Sequence, residues 1–114
     1  IPFSSATEAE NPSRVKVVLD KRGFALYFSR SRIPSAGDAF LHLGLYAYTR
    51  RFLLEFVKLS AGRLEQAEKL EQLRIIEHGY RIKATITDID SIPVDTAGDA
   101  DRVRAILEKV TTTI

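Results

Sequence analysis

The sequence predicts an α/β layer protein: a mixed sheet containing a hairpin, with helices flanking it. Two β-rich runs, residues 15–19 and 24–29, lie on either side of a short turn that ends in Gly23. Residues 41–48 and 80–87 alternate apolar and polar side chains with the two-residue period of a strand. Between and after them, apolar residues recur at helical spacing. The order strand, helix, helix, strand, helix requires at least one crossover connection.

Residues 1–14 form a polar, turn-prone lead-in holding Ser4, Ser5, Glu8, Glu10, Asn11, Pro12 and Ser13. In the hairpin that follows, Gly23 takes the left-handed position that closes a type I turn with a bulge. Residues 30–37 are a loop punctuated by Pro34 and Gly37. In the next strand Leu41, Leu43, Leu45 and Ala47 share one face, and His42, Gly44, Tyr46 and Tyr48 the other. Thr49 caps a helix whose Phe52, Leu53, Phe56 and Val57 make an apolar stripe. After Ala61 and Gly62, a single second helix is expected over residues 64–78, stopped by Gly79. Its apolar residues Leu64, Ala67, Leu70, Leu73 and Ile76 recur every three positions, a spacing that drifts around the cylinder. Residues 80–87 read as a strand and 88–95 as a loop. The last helix, residues 99–110, is expected to pack through Val103, Ile106, Leu107 and Val110.

Composition narrows the classes of function. The 114 residues carry 17 Lys+Arg against 15 Asp+Glu, a net charge of +2, too weak for a nucleic-acid footprint. Hydrophobic residues at 45% and charged residues at 28% are globular values, and the length suits one domain. There is no apolar run of the ~20 residues that a membrane-spanning helix needs. The absence of Cys excludes disulfides, thiolate nucleophiles and Cys-ligated zinc. The chain also lacks Met and starts Ile1-Pro2-Phe3, which leads us to expect a piece of a longer protein.

Four clusters are suited to chemistry, and each has a plainer reading. Arg30 and Arg32 end a strand, where a guanidinium fork matches carboxylate or phosphate; otherwise they are solvated loop charges. His42, Tyr46 and Tyr48 share a strand face with Gly44, which leaves room for a ligand's close approach; otherwise they pack beneath a helix. Glu65, Glu68, Glu71 and Gln72 crowd one helical side, a carboxylate–amide surface that suits a polyhydroxylated substrate or simply faces water. Asp95 precedes the last helix, as a hard oxygen ligand for Mg²⁺ or as a helix-starting residue.

Together these stretches resemble the C-terminal half of the 3-deoxy-manno-octulosonate (KDO) cytidylyltransferases, the CMP-KDO synthetases. Residues 11–20 are similar to the family's NPNxVKVVLD, and residues 25–34 to its ALYFSRxxIP. His42 with residues 43–48 resembles HIGIYAY, residues 64–74 resemble LEQxExLEQLR, and residues 94–99 resemble the end of GVDTPED. Five matches in the family's order cover residues 11–107. Pro93 replaces the family's Gly, Ala97-Gly98 replaces Pro-Glu, and the segment between Pro34 and His42 is several residues shorter. The family's PARxxSxRxPxK phosphate loop and first metal-binding Asp have no counterpart here.

The resemblance implies a nucleotide-diphospho-sugar transferase-like fold, of which residues 1–114 would be one incomplete domain, the sugar-binding and dimerisation half. It implies a cytoplasmic, Mg²⁺-dependent homodimer that joins CTP to KDO for lipopolysaccharide biosynthesis, releasing pyrophosphate. It places Arg30, His42, Tyr46, Glu71 and Gln72 at the sugar and Asp95 at the metal, with no catalytic residue assigned. The chain alone would be inactive, lacking the triphosphate cradle. Two alternatives stand beside this: a non-catalytic α/β dimerisation module, and a cytidylyltransferase for another acidic sugar.

Overall fold

The computed structural model describes residues 1–2 and 5–113. Phe3 and Ser4 of the polar lead-in, and Ile114, lie outside the described residues. The elements are α1 (Ala6–Glu10), β1 (Lys16–Leu19), β2 (Ala25–Ser29), β3 (Phe40–Leu41), α2 (Arg50–Phe56), α3 (Arg63–Glu68), α4 (Leu73–Glu77) and α5 (Ala97–Thr113).

The hairpin forms as the turn residues dictate. Asp20 Oδ1 accepts the amides of Arg22 (2.8 Å) and Phe24 (2.9 Å), and Gly23 adopts φ +83°. The ladder shifts register between Val18 and Leu19, the bulge that such a turn requires. Hydrogen bonding to the Phe24 amide, above all, holds the Asp20 carboxyl below its ordinary pKa.

β1 is the centre of a three-stranded sheet of order β2-β1-β3, with Val17 flanked by Phe28 and Phe40. The α/β class stands, but every strand pair formed among the described residues is antiparallel, where a mixed sheet was expected. The reason is the fate of residues 80–87. They join the hairpin only at its turn end, through a Phe24–Lys83 bridge and the bonds Ala25 N–Ile82 O (2.8 Å) and Ala84 N–Gly23 O (2.9 Å). Arg81 and Lys83 lie 4.4 and 4.8 Å from the Phe24 ring centroid and fasten this segment to the turn.

The expected strand at residues 41–48 is also cut short. Leu45 N donates to Leu43 O at 2.8 Å, a tight turn that curls the chain away from the sheet and leaves Leu45 90% exposed. α2 begins as expected, with Thr49 Oγ1 accepting the Phe52 amide at 3.1 Å.

The single helix expected at 64–78 is two. Lys69 takes φ +55° and ends α3, at a steric cost of about 1–2 kcal/mol for a residue with a Cβ. The break resolves the three-residue drift: it lets Leu70 (5% exposed) and Leu73 (0%) both enter the core with Val17, Ala25 and Phe28. Each such burial is worth about 1.5–3 kcal/mol, enough to offset the strained residue.

α1 lies inside the lead-in read as turns. Ser5 Oγ accepts the Glu8 amide at 3.3 Å, and Ala9 is fully buried. A five-residue helix with so few apolar positions has no periodicity to detect. α5 forms from a reciprocal cap in which Thr96 Oγ1 accepts the Asp99 amide (3.2 Å) and Asp99 Oδ2 accepts the Thr96 amide (3.0 Å). Most of its expected packing face is not covered: Ile106, Leu107 and Val110 are 40–59% exposed, while Val103 is half-buried. The radius of gyration, 16.2 Å, exceeds the ~13 Å of a compact domain of about 100 residues.

Candidate functional site

One end of the sheet and the chain leaving β3 build the site. His42 N donates to Val15 O at 2.8 Å, which extends the ladder by one row past β3 and brings the imidazole edge-on to Phe28 (5.2 Å between centroids). From there an aromatic series continues to Tyr46 (5.3 Å), Tyr48 (5.9 Å) and Phe52 (5.8 Å), with Tyr80 edge-on to Phe52. A cleft of about 840 Å³ runs along it, lined by Phe28, His42, Tyr46, Tyr48, Phe52 and Tyr80 among others.

The polar groups in this cleft keep hydrogen-bonding capacity in reserve. Burial, above all, lowers the His42 pKa, so the ring is neutral near pH 7 and offers one donor and one acceptor. The Tyr46 hydroxyl is buried with no hydrogen-bond partner among the described residues. Such an orphan costs about 1–3 kcal/mol until something bonds to it. Burial also raises the Tyr46 pKa, helped by Tyr48 and the Glu71 carboxylate, so this hydroxyl stays protonated.

Arg30 follows β2 at the same end of the sheet. Its Nη1 donates to Pro12 O (3.3 Å) and its Nη2 to Lys69 O (3.5 Å), which uses two of the five guanidinium N–H groups. The others suit a carboxylate. Arg30 does not line the cleft, and neither do Glu71 and Gln72. Glu71 is nonetheless near enough to raise the pKa of both Tyr46 and Tyr48.

The carboxylate–amide surface is not one helical face, because α3 ends at Glu68 and Glu71 and Gln72 fall in the turn before α4. Its members separate by partner. Glu65 binds Arg74 through two bonds (2.6 and 2.8 Å), and Arg74 lies 5.3 Å from the Phe56 centroid. Glu68 turns to the sheet and accepts from Tyr27 Oη, Ser29 Oγ and the Arg30 amide at 3.2–3.3 Å. Arg74 binds Glu65, nine residues away, rather than Glu71 three residues before it, because the bend at Lys69 brings Glu65 around.

Asp95 stands apart. It lies in the exposed loop before α5, its amide donating to Asp99 Oδ2 at 3.3 Å. Thr96, not Asp95, caps the helix. Among the described residues no three acidic or His side chains gather as a metal site. Asp99, the nearest carboxylate in sequence, is occupied by Thr96.

Sequence reasoning missed Lys16 and Glu68 as organisers of the Arg30 end. The signal for Lys16 was present: a charged residue inside the apolar run Val15-Lys16-Val17-Val18-Leu19 of a central strand.

Comparison with known proteins agrees with this architecture. A family model described as cytidylyltransferase matches residues 1–85. The 3-deoxy-manno-octulosonate cytidylyltransferase of Desulfosudis oleivorans is 54% identical over 106 residues, covering 88% of this chain and 43% of that protein. The 8-amino-3,8-dideoxy-manno-octulosonate cytidylyltransferase of Shewanella baltica is 53% identical over 98 residues, covering 82% and 40% respectively. The solved structure of a CMP:2-keto-3-deoxy-manno-octonic acid synthetase complexed with CTP superposes with a TM-score of 0.84. It shares 42% identity and covers 92% of this chain and 46% of its own. The chain thus spans less than half the length of the curated relatives it matches. On the family match and on identities above one half, this chain belongs to the cytidylyltransferase family.

Proposed function

We propose that the chain is the sugar-binding, C-terminal part of a KDO cytidylyltransferase. The observation that carries the reading is 54% identity to a relative of that name, along the stretch that holds His42, Tyr46 and Arg30. In the intact protein the 2-hydroxyl of the sugar attacks the α-phosphorus of CTP. The new P–O bond forms as the α–β anhydride bond breaks, the hydroxyl proton is released, and pyrophosphate departs. The chain's contribution is placement, which lowers the barrier by holding the reacting atoms in line. Arg30 meets the sugar carboxylate, and the neutral His42 and the unpartnered Tyr46 hydroxyl bond to ring hydroxyls. Glu71 and Gln72, which lie outside the cleft itself, are assigned to the sugar on the family resemblance.

Mg²⁺ belongs to this proposal through Asp95. The residues at hand do not make a full site, since Mg²⁺ takes one or two carboxylates plus phosphate oxygens and water. Asp95 supplies one carboxylate, and Asp99 is engaged elsewhere. No step is therefore routed through the ion. A homodimer and a cytoplasmic location complete the reading. The uncovered apolar residues of α5 support assembly with further protein, and no described helix is long and apolar enough to cross a membrane.

The Shewanella relatives favour a second reading in which the acceptor is the 8-amino sugar. Pyrophosphate release by the intact protein, with CTP, Mg²⁺ and each octulosonate in parallel, separates the two. Turnover with KDO is expected, preference for the 8-amino sugar would select the second reading, and release with neither would end both. The isolated 114 residues are expected to release none.

A further inference from the structure

Lys16 sits in the central strand of the sheet at 0% exposure. An ammonium taken out of water costs several kcal/mol unless its donors are satisfied. All three of its N–H groups are: they go to the backbone carbonyls of Asn11 (2.8 Å), Arg14 (2.6 Å) and Arg30. No carboxylate pairs with it among the described residues. An apolar residue here would avoid the desolvation of the ammonium but leave these three carbonyls without their donor, so the lysine is explained by what it joins.

What the ammonium does is join two segments to β1: the 11–14 turn, through its first and last residues, and the residue that follows β2. Each bears on Arg30. Lys16 holds the Arg30 carbonyl directly. It also grips both sides of the turn whose Pro12 carbonyl receives Arg30 Nη1. On the opposite side Glu68 accepts the Arg30 amide, and Lys69 O accepts Nη2. The backbone of Arg30 is therefore fixed at both its donor and its acceptor, with Lys16 supplying the only side-chain donor to that carbonyl among the described residues.

We propose that Lys16 is a positioning residue for Arg30, its buried ammonium locking the β2 end to the 11–14 turn so that the guanidinium is held ready for the carboxylate of an acidic sugar. This rests on the proposed sugar-binding role of Arg30. A guanidinium displaced by an ångström loses the alignment that bidentate recognition needs, while groups that bind the nucleotide are untouched.

The test is steady-state kinetics on the intact enzyme that contains this chain, comparing Lys16→Met, Arg30→Ala and the double variant, each checked by thermal melting. Lys16→Met is expected to raise KM for the octulosonate about 10- to 100-fold, with KM for CTP and kcat changing less than about twofold. In the Arg30→Ala background the same substitution is expected to add nothing, because its effect passes through Arg30. Equal loss toward both substrates, an unchanged octulosonate KM, or full additivity with Arg30→Ala would each overturn the assignment. Should Lys16→Met fail to fold, Lys16→Arg takes its place. It keeps the charge but spreads its donors over a planar fork instead of gathering them on one nitrogen, and the same octulosonate-only rise in KM and the same non-additivity are required of it. Wild-type enzyme that turns over neither octulosonate would instead refute the proposed function, a result separate from any behaviour of the variants.

Discussion

The hairpin with α3 and α4 differs sharply from the segment that ends in α5. In the first, side chains reach across long stretches of sequence: Glu68 to Tyr27, Ser29 and Arg30, and Leu70 and Leu73 to Val17 and Phe28. In the second, the bonds of the helix are local. Thr96 and Asp99 cap each other, Arg102 pairs with Asp99 and Arg104 with Asp101 at three-residue spacing, and Thr111 Oγ1 donates to Leu107 O. Both regions hold helices, yet only the first sends apolar side chains into the core. Local signals are enough to start a helix; burial needs a partner surface.

The largest test of this contrast is a pair of matched truncations. Leu73→Ala is expected to cost about 2–5 kcal/mol of stability in denaturant unfolding, because Leu73 is fully enclosed. Leu107→Ala, at a residue 59% exposed, is expected to change stability by less than about 0.5 kcal/mol. Similar losses at the two sites would erase the distinction. Next in size, Thr96→Ala is expected to cost about 1 kcal/mol through the lost cap. Amide exchange should show it as faster exchange in the first turn of α5, with protection in β1 unchanged.

The smallest effect is one of pH. The folded pKa of His42 is lowered, chiefly by burial, so the unfolded chain binds the proton more readily. The stability that follows is fully present above the ordinary histidine value of about 6.5 and declines as pH falls from there toward the folded value. Melting temperature followed from pH 8 to 5 should drop over that window, and a His42→Gln variant should drop less. An equal slope in the variant would remove His42 from the account.

The parts legible in the sequence were those decided within a few residues. The two β-rich runs and Gly23 announced the hairpin, and Thr49 announced α2. His42 and Tyr46 do share a cleft, as their alternation suggested. Arg30, Glu71 and Gln72 do not line it, and the helix expected to carry the last two breaks at Lys69. Pattern matching could not foresee that break. An apolar period of three fits no single helix face, and only the shape of the sheet beneath says where the chain must bend.

Taken alone, the order of residues determined the turn chemistry and the caps, which depend on conformational preferences and hydrogen bonds reaching four residues or fewer, while element order carried the class of the fold and the motifs in series the family. The tertiary structure decided the rest: which alternating segments became ladder strands, that Glu65 rather than Glu71 holds Arg74, and that Lys16 is buried at the crossing of three segments. Pairing, burial and desolvation are set by groups distant in the chain, and their energies exist only once those groups meet.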